Sequence, residues 1–378
     1  MLNFNSNEFS LPEAKTYLNC AYMSPLANRV VQAGITGIRR KQDPFTISTD
    51  DFFNDVDLLR AAFAQLVAGR AGQVAVVASA SYGLSAVAQN VRSRKNARIV
   101  VVEGEFPSNY YPWQKLGCRM VRVAPPSSWQ NRGKIWNEKV LEAIKPGTAV
   151  VAIGNVHWAD GTRFDLKQIR KAADRVGALL VIDGTQSVGA LPISIKQIRP
   201  DALICAGYKW LMGPYGIGLA WMGDHFKDGK PLEENWISRK GSRNFTGLVD
   251  YEDDYQPGMA RYDVGERSNF ILVPMLLRAL EMVNEWNPQS IQDHCAGITR
   301  QFMETIRSAG WWVEDENWRA HHLFGIRPPH PQKAQRWKES LMNAGISVSF
   351  RGDFIRISPH LYNTDSDFER LASVLTGH

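Results

Sequence analysis

The sequence predicts an α/β protein whose large domain has a mostly parallel central sheet, followed by a smaller α+β domain at the carboxyl end. Between Val74 and Ala220, short runs rich in β-branched residues alternate with helical patterns, as in successive βαβ units. A polar, weakly periodic stretch over residues 224–262 then precedes a second series of helices and strands. With 378 residues and 44% hydrophobic content, the chain can bury one large core or two unequal ones.

Residues 15–260 form the predicted large domain, and local patterns define its elements. One amphipathic segment ends at Gly69 and another at Gly177, and glycine is the residue that most commonly ends a helix. The helical segments are DFFNDVDLLRAAFAQLVAG, SYGLSAVAQNV and DLKQIRKAADRVG. The strand candidates are QVAVVAS, ARIVVVEG, TAVVAIG, ALLVID and ALICAG.

Residues 261–378, together with an amino-terminal arm of residues 1–14, form the predicted small domain. Alternating strand and helix patterns end there in the strand FIRIS and a final helix. Thr364 and Asp367 have the spacing of a capping box at the start of that helix. The other helices predicted in this domain cover residues 274–286 and 288–309.

Hydropathy, charge and cysteine pattern predict a soluble cytoplasmic protein that binds neither nucleic acid nor a membrane. No run of about 18 apolar residues occurs, and the first residues lack the features of a secretory signal. The net charge of +6 is mild, and the basic stretch at 92–98 fits a solvated connector. The cysteines lie singly, without the spacing of a metal site or a disulfide framework, at Cys20, Cys118, Cys205 and Cys295.

Polar residues follow two of the apolar strand patterns directly. ALLVID ends on Asp183, and ALICAG is followed by Tyr208 and Lys209, at the edge where ligands bind in open α/β sheets. Partial burial among apolar neighbours would lower the pKa of Lys209 toward nucleophilic use. A Schiff base with an aldehyde cofactor needs such an amine, and an opposed carboxylate would keep a pyridine nitrogen protonated. Taken alone, the Asp-Gly pair also fits an ordinary turn.

A candidate phosphate seat lies earlier in the chain. Ser79, Ala80 and Ser81 follow a predicted strand and begin a predicted helix, and free N–H groups at helix amino termini bind anions. Short hydroxyl residues at a helix start are also common as plain N-caps. The motif therefore supports a phosphate site only in combination with its neighbours.

Taken together, the motifs resemble the class V aminotransferase family of fold-type I pyridoxal 5'-phosphate enzymes. This family includes cysteine desulfurases, selenocysteine lyases, kynureninases and isopenicillin-epimerase-like proteins. The resemblance covers nearly the whole chain and implies the α/β fold of type I PLP-dependent transferases. The motifs that carry it are YLNCAYMSPLANRVV, EGEFPSNYYPWQ, GNVHWADGTRFDL, VIDGTQSVGALP, GYKWLMGPYGIG, YDVGERSN and FIRISPHLYNT.

Matching motif positions imply roles for individual residues around the cofactor. Lys209 would hold pyridoxal phosphate as a Schiff base and move protons at the substrate carbon. Asp183 would pair with the pyridine nitrogen, and Gln186 would approach the phenolic oxygen. Asn155 would lie close to that oxygen and to the bound substrate.

The resemblance also implies contacts to the cofactor ring and phosphate. Phe106 matches the aromatic residue that stacks on the ring in kynureninase-like members, although an ordinary buried phenylalanine is the alternative. Ala80 and Ser81 would present donors to the phosphate. Tyr208 would add its phenol, as the residue before the lysine does in kynureninases.

Two further residues relate to the substrate and to a partner subunit. Arg356 matches the arginine that clamps the α-carboxylate of an amino acid, which suits its planar fork of donors; a salt-bridged strand arginine is the alternative. Ser268 lies in a segment that reaches the neighbouring subunit's phosphate, which implies a homodimer with active sites at the interface. Glu266, two residues earlier, departs from the family's commoner threonine.

The reaction itself stays open, because family members share the cofactor site and differ in later steps. We rank transamination or related lyase chemistry first, with kynureninase-like hydrolysis or epimerisation as alternatives. Desulfurases and selenocysteine lyases of the nearest type carry a cysteine on a loop before the carboxylate-binding arginine. SFRGDFIRIS is too short for that loop and contains no cysteine, which argues against persulfide chemistry.

Two other classes of function were weighed against an enzyme of this family. A noncatalytic binding subunit with the same fold is disfavoured because both Lys209 and Asp183 are present. A nucleotide-dependent oxidoreductase is disfavoured because no glycine fingerprint follows the early strands.

Several aromatic residues and the nearby His157 could line a substrate pocket or belong to the core. The aromatic residues are Tyr22, Tyr110, Tyr111, Trp113 and Trp158.

Overall fold

The computed structural model describes residues 6–91, 97–330 and 334–377. Most of the basic stretch at 92–98 lies outside the described residues. The strands in the described part are β1 (Thr16–Tyr17), β2 (Val74–Val77), β3 (Arg98–Val102), β4 (Arg119–Val123), β5 (Thr148–Gly154), β6 (Leu179–Asp183), β7 (Ala202–Ala206), β8 (Gly218–Met222), β9 (Trp312–Val313), β10 (Phe324–Arg327), β11 (Ile346–Ser347), β12 (Ser349–Arg351) and β13 (Phe354–Ile357).

The α-helices alternate with these strands in the first two thirds of the chain and surround a second sheet in the last third. They are α1 (Asn28–Gln42), α2 (Asn54–Leu66), α3 (Ala80–Gln89), α4 (Tyr111–Gln114), α5 (Arg132–Ala143), α6 (Leu166–Val176), α7 (Ile195–Ile198), α8 (Leu272–Trp286), α9 (Pro288–Ser308), α10 (Ala334–Asn343) and α11 (Asp365–Thr376).

The central sheet has the strand order β2-β8-β7-β6-β5-β3-β4 within the described residues. Five strands, β7, β6, β5, β3 and β4, run parallel to one another. Strand β8 is antiparallel to both of its neighbours, β2 and β7. Gly154, Asp183 and Ile204 stand in register across β5, β6 and β7. The carboxyl ends of these three strands therefore meet at one edge, as the fold prediction requires.

All five predicted strands of the large domain are present, and two further strands complete the sheet. The sequence argument missed β4, whose run RMVRV carries two arginines, and β8, which follows a glycine-rich segment. The connection from β7 to β8, residues 207–217, carries no helix to cross over the sheet, so β8 returns antiparallel to β7. The sheet is therefore mixed at this edge and parallel elsewhere.

Apolar side chains cover both faces of the central sheet. One core joins residues such as Val76, Val151 and Leu219 to α2, α6 and α8, and another joins Ala75, Val150 and Ala220 to α3. Strand residues point alternately to the two faces, so a strand covered on both sides has an almost continuous apolar sequence. This is why the predicted strands have such uniformly apolar runs.

A second sheet with the antiparallel order β12-β13-β10-β9 packs against α9 and α11 in the carboxyl-terminal part. The capping box at Thr364 is confirmed, with the Thr364 N–H donating to Asp367 Oδ2 at 3.0 Å. Helix α8 packs against helices α1 and α2 from the first part of the chain. Strand β1 pairs with β11. The division into residues 15–260 and residues 261–378 with the arm 1–14 stays a prediction.

Helix α1 approaches α8 closely because two of its positions are glycine. A Cβ at Gly37 would lie 2.1 Å from the carbonyl oxygen of Phe270, and one at Gly34 would meet Met275.

Across the described ranges, no helix is both long and apolar enough to cross a membrane.

Candidate active site

A cleft of about 840 Å³, part of it open to solvent, lies at the carboxyl ends of β5, β6 and β7. Polar side chains that follow three separate strands meet there with the first turn of α3. Seven of the predicted site residues line the cleft: Ala80, Ser81, Phe106, Asp183, Gln186, Tyr208 and Lys209. The topology of the sheet thus assembles residues that lie far apart in the sequence.

Lys209 follows β7 and is 94% buried, with 6% of its surface exposed. A Cβ at Gly207 would lie 2.6 Å from the Ile217 carbonyl oxygen, so a glycine is needed where the chain turns toward the cleft. The Lys209 Nζ lies 5.5 Å from the ring centre of Phe106 and 5.4 Å from that of Tyr208. No ion pair joins this amine to a carboxylate of the described residues.

Burial lowers the pKa of Lys209 from 10.5 to about 8, because desolvation disfavours the ammonium form. The carboxylate of Asp183 opposes this shift, while Arg356 and Arg351 add to it. The amine is therefore neutral in a larger fraction of molecules near neutral pH than an ordinary lysine would be. A neutral amine is the nucleophilic form that attacks a carbonyl group.

Asp183 ends β6 and is also buried, at 8% exposure. Its Oδ1 accepts the Thr185 N–H at 3.0 Å, and the Thr185 hydroxyl oxygen accepts the Ala206 N–H at 3.2 Å. Burial raises the pKa of Asp183, against the effects of Thr185 and of the positive charge on Lys209. A positively charged ligand atom in this cleft would favour the carboxylate form.

Gln186 and Tyr208 are held in place by contacts with residues that do not line the cleft. The Gln186 side-chain amide donates to the Ala21 carbonyl at 3.1 Å, and its oxygen accepts the Trp210 indole N–H at 3.0 Å. The Tyr208 carbonyl accepts the hydroxyl of Ser24 at 3.1 Å. These contacts connect the cleft to the amino-terminal segment of the chain.

The start of α3 is both an N-cap and one wall of the cleft. Ser79 caps the helix by accepting the Tyr82 N–H at 3.1 Å, and its hydroxyl lies 2.8 Å from that of Ser81. The first N–H groups of a helix have no partner within the helix. The two interpretations of this motif, cap and anion seat, are therefore compatible in one geometry.

Arg356 lies on β13 and is 2% exposed. It donates to the Trp158 carbonyl at 2.7 Å and to the Ser349 hydroxyl at 3.3 Å, while its Nε is buried without a partner. No carboxylate of the described residues pairs with it, and burial lowers its pKa to about 9. It is therefore a buried cation with neutral partners and not a salt-bridged strand arginine.

Besides Arg356, which is not among the residues that line the cleft, two predicted residues lie outside it in the single chain. Asn155 lines a neighbouring cavity, although Gly154 and Val156 on either side of it line the cleft itself. Ser268 is buried, and its hydroxyl donates to the Phe52 carbonyl. Glu266 has a left-handed backbone at φ 57°.

Glu105 lines the cleft and was missed by sequence reasoning. It accepts the N–H of Phe106 at 2.8 Å and that of Gly154 at 3.2 Å, and burial raises its pKa to about 7. Its position directly after the EG that ends a strand pattern was the signal available. Trp158 and Tyr215 also line the cleft, whereas Trp113 is a core residue.

Comparisons with known proteins agree on the family. The family model for Aminotransferase class-V matches residues 48–371. An uncharacterized aminotransferase of Bacillus subtilis is 26% identical over 316 residues, covering 82% of this chain and 80% of the relative. A probable cysteine desulfurase of Methanothermobacter thermautotrophicus is 28% identical over 324 residues, covering 80% of this chain and 78% of the relative.

A solved structure of the cystine C–S lyase C-DES with its product cysteine persulfide has the same fold. It aligns with a TM-score of 0.84 and 19% identity, covering 96% of this chain and 97% of that chain. The match of the family model over most of the chain is the decisive finding. The chain therefore belongs to the class V aminotransferase family, and with it to the enzymes that depend on pyridoxal 5'-phosphate.

Proposed function

We propose that this enzyme acts on the α-amino group of a small amino acid by transamination or a related lyase reaction, through a Schiff base at Lys209. The observation that carries the proposal is that Lys209 and Asp183 lie at the carboxyl ends of two adjacent strands. Both side chains are buried, and both line the same cleft. Such a pair matches the two ends of a pyridoxal ring, its aldehyde and its ring nitrogen.

The residues of the cleft fit pyridoxal phosphate in charge and shape. Asp183 is a buried carboxylic acid with a raised pKa, and a protonated ring nitrogen would supply the positive partner that it lacks. The first turn of α3 offers N–H groups and the Ser81 hydroxyl to a phosphate. Phe106 supplies an aromatic face beside Lys209. When bound, the cofactor withdraws electrons from the substrate's Cα.

Lys209 would then serve a second purpose as the proton carrier. As a free amine in the cleft, Lys209 has a pKa of about 8 and would be suited both to take up and to release a proton. Arg356 would bind the substrate's α-carboxylate, for which a buried guanidinium with only neutral partners is suited. The side chain of Asn155 would lie nearby.

Burial of three of the four thiols argues against a desulfurase, which needs a reactive cysteine. Cys20 is fully buried, which raises its pKa to about 12, so its thiol is protonated at neutral pH. Cys205 and Cys295 are likewise buried with raised pKa values. No described cysteine lines the cleft, and only residues 352–353 join β12 to β13.

The decisive experiment is an absorption spectrum of the purified protein with pyridoxal phosphate, followed by titration with alanine, cysteine, kynurenine and other amino acids. The wild type should show a near-visible band that the Lys209→Ala variant lacks, because Lys209 is the one lysine among the described residues that lines the cleft. Lys171→Ala, an exposed lysine on α6, is the matched control and should keep the band. A band of equal strength in Lys209→Ala would overturn the assignment.

We also propose that the enzyme is a homodimer. Helix α1 exposes Val31, Ile35 and Ile38 at spacings that put them on one face, and Phe45 and Leu58 are exposed as well. Contiguous exposed apolar residues of this kind are typical of an interface between subunits. In the dimer, Ser268 would contribute to the partner's phosphate site.

A further inference from the structure

We propose that the substrate is an amino acid with an acidic side chain, bound by Arg351 and Arg356 together. This inference rests on the proposed function, because it names the substrate class of the same cleft. Its basis is a pair of guanidinium groups beside the cleft that form no ion pair with a carboxylate of the described residues.

The hairpin of β12 and β13 places both arginines on one face. Ser349 pairs with Arg356, and Arg351 pairs with Phe354. Because side chains alternate along a strand, Arg351 and Arg356 project to the same side of the hairpin. The sequence RGDFIR therefore produces a two-cation surface only once the hairpin has formed.

That surface faces the cleft through Trp158. Arg356 donates to the backbone carbonyl of Trp158 at 2.7 Å, and the Arg351 guanidinium carbon lies 5.6 Å from the centre of its rings. Trp158 lines the cleft and contacts the ring of Phe106 edge to face at 5.4 Å between centres. Both arginines also lower the pKa of Lys209 by charge repulsion.

Neither guanidinium is neutralised within the described part of the chain. Arg351 donates to the carbonyl of its neighbour Phe350 at 2.8 Å, and its Nε, like that of Arg356, is buried without a partner. Asp353, in the same turn, pairs with Arg327. The carboxyl group of Glu105 accepts two backbone N–H groups.

The charges then define the ligand. An amino acid with a neutral side chain brings one carboxylate, which matches Arg356. It leaves the guanidinium of Arg351 without a counter-charge. A second carboxylate on the side chain would match Arg351, with the intervening carbons packed on the Trp158 ring. A buried guanidinium beside a half-buried one, both without counter-charges among the described residues, favours a ligand that carries two carboxylates.

The experiment titrates the pyridoxal phosphate-loaded enzyme with aspartate, glutamate, asparagine and glutamine, and follows the cofactor's absorption band. Each acid should bind about 10- to 100-fold more tightly than its amide, the effect of one added charge-assisted contact. Arg351→Gln should remove this preference, because it should weaken the binding of the acids far more than the binding of the amides. Arg351→Lys should restore part of it.

Arg336→Gln is the matched control, because it removes another arginine that lies over a tryptophan, at 5.7 Å from the Trp337 ring centre. It should keep the preference for acids. Equal affinity of acids and amides in the wild type would overturn the inference, as would an equal loss for both in Arg351→Gln. Absence of any lysine-dependent band, in contrast, would refute the proposed function itself.

Discussion

Lys209 carries its amine in a cleft where burial and two nearby guanidinium groups act in the same direction. Desolvation outweighs the attraction of Asp183, so the pKa in the folded protein is about 8 and not 10.5. Because the unfolded chain holds this proton more tightly, stability lost at Lys209 below pH 8 is regained as the pH rises from about 8 to 10.5. The functional gain is a neutral amine under mild conditions.

The rate at which the cofactor-free protein forms its lysine-dependent band should follow this titration. Only the neutral amine attacks an aldehyde, so the rate should rise about tenfold for each pH unit below the pKa and level off above it. Stopped-flow absorption over a pH series measures the midpoint, expected at about 8. A midpoint near the ordinary lysine value of 10.5 would contradict the buried environment.

At the scale of elements, the amino terminus of α3 combines two tasks. Ser79 caps the helix, and the same turn faces the cleft with Ala80 and Ser81. A cap needs only a side-chain acceptor, whereas a phosphate seat also needs a positive potential. Substitutions that keep the acceptor but change its charge separate the two tasks.

Ser79→Asp should retain the stability of the protein and weaken its affinity for pyridoxal phosphate at least about tenfold, because a carboxylate caps as well as serine but repels the phosphate. Ser79→Asn is the matched neutral cap and should retain both properties. Thermal unfolding and fluorescence titration measure the two quantities. If the aspartate variant binds the cofactor as tightly as the asparagine variant, the phosphate does not lie at α3.

For the molecule as a whole, the exposed face of α1 is the feature that the single chain leaves unexplained. Val31, Ile35 and Ile38 are 40%, 36% and 53% exposed. A neighbouring side of the helix packs tightly on α8 through Gly34 and Gly37. A helix that is apolar on two sides fits a position between two packing layers, the second of which would come from a partner subunit.

Light scattering coupled to gel filtration should give the mass of a dimer, about twice 42.5 kDa, for the wild type. Replacing Ile35 and Ile38 together with glutamate should shift the protein to the monomer, since two charges would enter an apolar interface. Thr36→Glu, on another side of the same helix, is the control and should leave the mass unchanged. A monomeric wild type would refute the dimer and with it the role of Ser268.

Much of this architecture was predictable because it depends on local patterns. Strands covered on both faces are apolar throughout, so β5, β6 and β7 were visible in the sequence. Asp183 ends β6, and Lys209 lies three residues after the end of β7. Helix ends were visible at Gly177 and Thr364 for the same reason, since their signals lie within a single turn. The family resemblance added the cofactor and the roles of individual residues.

The sequence by itself thus determined the alternation of elements and the polar residues at the strand ends. Only the tertiary structure decided that β8 runs antiparallel and that Glu105 joins the cleft. It also decided that Arg351 and Arg356 share one face beside Trp158. These features depend on strand register, burial and charge between segments distant in the chain. Such interactions act through space, so no local pattern encodes them, whereas backbone propensity and side-chain periodicity are properties of neighbouring residues.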